Sequence, residues 1–102
     1  MANPAYDNAS QQRILRLILS LSGHELHGLA PKDLAEHLKV SPGTITRDLH
    51  NLRSCGFAEL IQETGRIRLS AKMVQIAVAH ANAMSRATDL LQEIKQRYSR
   101  EP

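Results

Sequence analysis

Aromatic residues are scarce in this chain, and their scarcity restricts both its core and its function. Phe, Trp and Tyr make up 3% of the 102 residues, and Trp is absent. The hydrophobic core must therefore consist mainly of aliphatic side chains. Proteins that bind single-stranded nucleic acid stack successive bases on aromatic rings. The sequence has too few rings for such a platform, which argues against that class of binder.

Cysteine, targeting signals and long apolar runs are also scarce or missing. The single cysteine, Cys55, excludes an intrachain disulfide and predicts a reducing, cytoplasmic location. Because Cys55 comes at a helix end beside Gly56, we expect it to be a small buried hydrophobic residue. The N-terminal residues lack the basic and apolar segments of a signal peptide. No apolar run approaches the roughly 20 residues that a membrane-spanning helix needs.

The patterns of catalytic and metal sites are missing as well. We find no Gly-rich phosphate loop, nucleophile elbow or pair of carboxylates at catalytic spacing, so we do not expect an enzyme or a cofactor. His24 and His27 form the only close histidine pair, and the distant Cys55 is a poor fourth ligand for zinc. We therefore predict no metal site and no small-molecule effector.

What the chain does have is a local excess of positive charge. The formal net charge is +3. The excess lies between Lys39 and Lys72, where six cationic side chains are accompanied by three acidic ones. A basic segment is compatible with binding to a polyanion but does not prove it.

The order of elements predicts a mostly helical fold with a small β-hairpin wing, a winged helix-turn-helix followed by a long C-terminal dimerisation helix. Ser10 is expected to cap a first helix over 11–21. The remaining expected elements are a loop over 23–30, helices over 31–38 and 42–54, strands over 57–62 and 66–69, and a last helix over 71–98. The corresponding domain divisions are a flexible arm (1–9), the winged helix-turn-helix (10–70), the dimerisation helix (71–98) and a tail (99–102).

The third helix has the features of a DNA-recognition helix. Ser41 is an N-cap and Pro42 fits the first helical position. One side of the helix is apolar, and the opposite side carries short polar groups and one arginine that suit base edges in a major groove. The backbone N–H groups of Gly43 and Thr44 suit a phosphate. The predicted DNA-binding residues of this element are Ser41, Gly43, Thr44, Thr46, Arg47, His50 and Asn51.

Two neighbouring features extend or complicate this prediction. Arg66 and Arg68 lie two residues apart on the second strand, so both point to the same face, and Lys72 follows them. We expect these three side chains to grip the DNA backbone or the minor groove as a wing. For Asp48 two alternatives stay open: it pairs with or orients a neighbouring base such as Arg47, or it repels phosphate.

The segments QRILRLILSLS, LAPKDLAEHLKVSPGTITRDLHNLRSCGFAEL and GRIRLSAKMVQIA together resemble the DNA-binding domain of IclR-type bacterial regulators, over about residues 10–84. MarR and ArsR winged helices share parts of the pattern. The resemblance implies a homodimer on a palindromic operator, with Thr44, Thr46, Arg47 and His50 in the groove. It also implies that Arg66 and Arg68 lie on the wing.

The chain departs from that family at two points. Lys39 replaces the glycine that such turns often have, which costs about 1 kcal/mol if its φ is positive. The sequence stops at Pro102, without the C-terminal effector domain, so no ligand-sensing function is implied. It is either a free-standing domain, as a phage or other mobile-element switch would be, or a piece of a longer protein.

The last helix carries an apolar seam at alternating spacings of four and three. The seam residues are Met73, Ala77, His80, Met84, Ala87, Leu91, Ile94 and Tyr98. A heptad seam of this length predicts a partner helix, and therefore a homodimer. The alternative is that the helix folds back on its own domain. His80 is expected to be a packed or hydrogen-bonded histidine of the seam, and the alternative is that its protonation makes the interface sensitive to pH.

Three functions remain open at this point. The first is a sequence-specific regulator that binds double-stranded DNA as a homodimer. The second is a winged helix that binds another protein, and the third is a nucleoid or partition protein with low sequence preference. The three uncharged hydrogen-bonding groups beside Arg47 favour DNA over a protein partner.

Overall fold

The structure is a computed structural model that describes residues 3–100. Its elements follow in the predicted order: α1 (Ala9–Leu21), α2 (Pro31–Leu38), α3 (Pro42–Ser54), β1 (Ala58–Ile61), β2 (Arg66–Leu69) and α4 (Ala71–Ser99). The predicted fold class of helices with a small hairpin is confirmed. Residues 1–2 of the predicted arm and 101–102 of the predicted tail lie outside the described residues.

The chain divides into two units, residues 1–72 and 73–102. The first unit contains the helix-turn-helix, the hairpin and the first residues of α4, and the second consists of the rest of α4. Within residues 3–100, no helix combines the length and the hydropathy that a membrane crossing requires.

The first helix starts earlier than the sequence predicts. Asn8, in an extended conformation, accepts a hydrogen bond from the N–H of Gln11 at 3.0 Å, so Asn8 and not Ser10 is the N-cap. Asn is as good a cap as Ser, and α1 therefore gains Ala9 and Ser10. Before it, Pro4–Tyr6 forms one turn of 3-10 helix where the sequence predicts a loose arm.

The turn between α2 and α3 contains one residue in the left-handed conformation, Lys39. Lys39 has φ 58° and ψ 44°, and it is the only non-glycine residue with positive φ in the part of the chain that the structure describes. The N–H of Val40 donates to the carbonyl of Ala35 at 3.0 Å, which closes the end of α2. The predicted start of α2 at Pro31 and of α3 at Pro42 are both confirmed.

Lys39→Gly should stabilise the domain slightly. Left-handed backbone costs a residue with a Cβ about 1–2 kcal/mol, and glycine avoids that cost. The greater freedom of glycine in the unfolded chain offsets part of the gain, which leaves about 0.5 kcal/mol. Thermal unfolding would measure it, with Glu36→Gly inside α2 as the control that should lower stability. A lower melting temperature for Lys39→Gly would contradict the expectation.

The hairpin is extended by the loop that precedes α2, which the sequence predicts to be irregular. β1 and β2 pair antiparallel, and Leu29 exchanges two backbone hydrogen bonds with Ile67, of 2.8 and 2.9 Å. Gly28 makes this approach possible. It has φ +66°, and a Cβ at this position would lie 2.5 Å from the carbonyl oxygen of Ile67. The loop therefore lies against the open edge of β2 through one bridged residue, Leu29.

The core of the first unit is aliphatic, as the scarcity of aromatic residues requires. It lies between the three helices and the hairpin. Its buried residues are Leu17, Leu21, Leu34, Ala35, Ile45, Leu49, Leu52, Ala58, Ile67 and Leu69. Cys55 is exposed at the end of α3, so the expectation that it is buried is wrong. The helix ends there and Gly56, with φ +84°, turns the chain toward β1.

Candidate nucleic-acid interface

The amino end of α3 is capped by Ser41 and exposed to solvent. Ser41 accepts a hydrogen bond from the N–H of Thr44 at 3.2 Å and donates to the Thr44 hydroxyl at 3.0 Å. Of the two N–H groups assigned to phosphate, that of Thr44 is therefore used by the cap. The N–H of Gly43 remains at the positive end of the helix dipole.

Four residues form the centre of the exposed side of α3, which we call the α3 face: Gly43, Arg47, His50 and Ser54. Their spacing of four, three and four aligns them along one side of the helix, and all four are exposed. The guanidinium of Arg47 lies over Gly43, with Nη1 3.9 Å from where a Cβ at Gly43 would be. A side chain with five donors is thus placed beside the open end of the helix.

Three other predicted residues lie at the edges of this face and are hydrogen-bonded within α3. The Thr46 hydroxyl donates to the carbonyl of Pro42 at 2.8 Å, and the Asn51 amide donates to the carbonyl of Arg47 at 2.9 Å. Thr44 is half-buried. These groups have local partners, whereas Arg47 and His50 extend freely from the centre of the face.

Asp48 takes neither of its two expected roles. It is 6% exposed, and within residues 3–100 it is the only charged residue that is buried. Both of its carboxylate oxygens accept hydrogen bonds from the guanidinium of Arg13 on α1, 35 residues away. This hydrogen bond raises the pKa of Arg13 above its ordinary value. The ion pair joins α3 to α1.

The two arginines of the hairpin have different environments. Arg68 donates to the carboxylate of Glu59 on β1 at 2.7 Å and to the carbonyl of Leu26 at 3.3 Å, so its charge is already paired. Arg66 stands at the start of β2, beside the turn that Gly65 closes with φ +73°, and it is exposed. Arg66 is thus the cation that the hairpin offers to solvent near its tip.

An open groove of about 420 Å³ lies between α3 and β1. Its polar lining includes His50, Arg53, Glu59 and Gln62. Arg53 is not among the DNA-binding residues that the sequence predicts. Its position three residues after His50, on the same side of α3, is the signal that could have included it.

Lys72 lies at the opposite end of α3 from Gly43. Its ammonium donates to the carbonyl of Cys55 at 3.2 Å and stands 5.2 Å from the centre of the Phe57 ring. A cation at this end stabilises the helix dipole. Lys72 therefore caps α3, and its predicted contact with DNA remains a prediction.

The second unit presents the predicted seam to solvent. Met73 is half-buried, and the seven other seam residues are exposed. Leu90 and Ile76 beside the seam are exposed too. Within residues 3–100, no three His, Cys, Asp or Glu side chains are grouped so as to hold a metal ion.

Comparison with known families agrees with this geometry. The family model described as a DeoR-like helix-turn-helix domain matches residues 11–72, which include the turn, α3 and the hairpin. The match supports the predicted winged helix-turn-helix and its role in DNA-binding regulation, while the IclR type is not confirmed. No curated protein matches the chain.

Proposed function

This chain belongs to the DeoR-like helix-turn-helix family, and on that premise we propose that it regulates transcription as a homodimer that binds a palindromic operator. Each α3 would lie in a major groove, and each hairpin would contact the adjacent backbone. A DNA-binding domain of this family points to a regulator rather than an enzyme. The IclR-type resemblance remains a prediction, and the proposal does not depend on it.

The observation that carries this proposal is the α3 face. Arg47 and His50 are exposed at its centre. The polar groups of Thr46 and Asn51 at its edges already donate to backbone carbonyls of α3. Arg47 would bind guanine O6 and N7 with two hydrogen bonds, and the N–H of Gly43 would hold a phosphate. Arg66 and Arg53 would add contacts on the side toward the hairpin.

Dimerisation is proposed from the seam of α4. The helix has 29 residues and no buried residue. An apolar heptad seam in water is stabilised when a second helix covers it. A two-fold axis would present two α3 faces to DNA, with half-sites at least about one helical turn, roughly 34 Å, apart.

Selection from random duplexes, followed by gel shifts at several salt concentrations, tests the DNA-binding proposal. We expect a palindromic sequence to be enriched and bound more tightly than random duplex. Binding without any enriched sequence would indicate a low-specificity nucleoid or partition protein. The absence of binding at low salt would overturn the proposal and favour a winged helix that binds another protein.

Arg66→Ala should weaken binding to all duplexes similarly and reduce the slope of log K against log salt by about one, because one phosphate contact is lost. Arg68→Ala is the matched control, since its guanidinium is already paired with Glu59. We expect a smaller change in slope for Arg68→Ala. Equal slopes for the two variants would contradict the assignment of Arg66 as the phosphate-binding cation of the hairpin.

The dimer is tested by sedimentation at micromolar concentration. The wild-type chain should sediment as a dimer, and Leu91→Glu in the seam should shift it toward monomer because a charge would enter the apolar interface. Asp89→Gln, at an exposed position outside the seam, should leave the dimer intact. A wild-type monomer would refute the seam argument.

A further inference from the structure

The seam of α4 has a spacing that reads the same from either end. Its residues follow one another at four, three, four, three, four, three and four positions, and the midpoint of the series lies between Met84 and Ala87. Two such helices can pair in parallel, each seam residue against its own counterpart, or antiparallel about that midpoint. Every seam residue is matched in both arrangements, so the choice between them depends on the size and charge of the side chains.

Large and small residues are distributed unevenly along the seam. The carboxyl end carries Leu91, Ile94 and Tyr98, all of them exposed in the single chain. The rest of the seam contains two alanines, Ala77 and Ala87. In a parallel pair, large residues would face large residues and each alanine would face an alanine. The alanine layers would then leave unfilled space between the helices, which well-packed interfaces avoid.

Antiparallel pairing about the midpoint removes this mismatch. Both alanines then face a long side chain of the second copy, and each His80 faces an aliphatic side chain rather than a second imidazole. Facing residues of alternating size fill the space between two elements without voids. The matched pairs are Met73 with Tyr98, Ala77 with Ile94, His80 with Leu91, and Met84 with Ala87.

The charges of α4 favour the same arrangement. Residues 73–85 contain no Asp, Glu, Lys or Arg, whereas residues 86–99 contain three cationic and two acidic side chains. Antiparallel pairing places Lys95 and Arg97, which flank the seam, beside the exposed Val74 and Ile76 of the second copy. The aliphatic stems of the two cations can cover these side chains while their charged ends stay in water. A parallel pair would instead place two halves of like net charge side by side.

We propose that two copies of α4 pair antiparallel in this register, with the two-fold axis midway between Met84 and Ala87. The inference rests on the homodimer of the proposed function and specifies the direction and register of its helices. The two Met73 residues are then separated by the length of helix from Met73 to Tyr98, about 38 Å at 1.5 Å per residue. Each helix-turn-helix precedes Met73 in the chain, so the two are attached at opposite ends of the helix pair. This separation suits half-sites about one DNA turn or more apart.

Disulfide trapping tests the direction of the helices. Both chains carry Cys55→Ser. One also carries Ala77→Cys, and the other, which is mass-tagged, carries Ile94→Cys. The two chains are mixed, allowed to exchange and treated with a mild oxidant. A disulfide requires Cα atoms within about 7 Å of each other. We expect the covalent heterodimer to be the main product. Linked homodimers of each chain without heterodimer would indicate parallel helices and overturn the inference.

The register has its own control partner, which carries Cys55→Ser with Ala87→Cys. Its thiol would meet that of Ala77→Cys only if the antiparallel helices were displaced by one heptad. This mixture should give several-fold less covalent heterodimer than the Ile94→Cys mixture. Equal yields would overturn the inference, since they would indicate random collision, and a larger yield would indicate the displaced register.

A size exchange tests the same pairing without cysteine. Ala77→Leu alone should weaken the dimer in sedimentation, because the larger side chain would clash with Ile94 of the second copy. Adding Ile94→Ala should restore the dimer, since each introduced leucine then faces an introduced alanine. A tighter dimer for Ala77→Leu would overturn the inference, because parallel helices would bring two leucines together in the space between two alanines.

Sedimentation of the wild-type chain separates this inference from the proposed function. If the wild type is a dimer but the Ala77→Cys and Ile94→Cys chains are not linked, the antiparallel register is wrong while the homodimer and DNA binding stand. A wild-type monomer would refute the homodimer itself, and the inference with it.

Discussion

Asp48→Ala is expected to lower the free energy of unfolding by about 2 kcal/mol, because it removes the charge-assisted hydrogen bonds between Asp48 and the half-buried guanidinium of Arg13. Asp48 is buried on α3, and Arg13 is its partner on α1. The variant would also lose the bond that fixes α3 against α1. Urea denaturation measures the change, and the transition should move to lower urea without a change in slope.

Replacing both partners tests whether the loss comes from the unpaired charge. The double variant Arg13→Met with Asp48→Leu keeps apolar volume at both positions and buries no charge, so it should recover most of the stability. Glu93→Ala breaks an exposed ion pair with Arg97 on α4 and should change stability little. If Asp48→Ala were as stable as the wild type, the pair would have no structural importance.

Arg47→Ala is expected to remove sequence preference at one base pair of each half-site. A bidentate contact between arginine and guanine contributes about 1–3 kcal/mol of discrimination, which is on the order of tenfold or more in relative affinity. Repeating the selection with the variant and comparing the enriched sequences measures the effect. The preference should be relaxed at that position and retained at the others.

Arg86→Ala is the matched control for Arg47→Ala. It removes the same charge from an exposed position on α4, outside the proposed interface. Its enriched sequence should equal that of the wild type. If Arg47→Ala also leaves the enriched sequence unchanged, α3 does not read DNA through Arg47, and the central part of the proposed function is wrong.

Local signals in the sequence predict most elements of the fold. Pro31 and Pro42 mark two helix starts because proline fits the first turn, where its missing N–H is not needed. Gly65 marks the hairpin turn because glycine readily adopts positive φ. These features depend on neighbours within a few residues, so the sequence contains all the information that they require.

Contacts between distant residues are what the sequence does not predict. Arg13 and Asp48 are 35 residues apart, and nothing in either segment indicates the other. The same holds for Arg68, which bonds Leu26 across the fold, and for the pairing of Leu29 with Ile67. Each of these contacts forms only because the helices and the hairpin pack around one core.

The sequence by itself determined that the chain is a winged helix-turn-helix with a polar, arginine-bearing side on its third helix. Periodicity and caps are local, so they indicate which residues face outward. The tertiary structure decided which of those residues are available. It pairs Arg68 with Glu59 and leaves Arg66 and Arg47 exposed. Whether a charged side chain is paired depends on neighbours that only packing brings together. For that reason the structure leaves fewer residues available to DNA than the sequence pattern predicts.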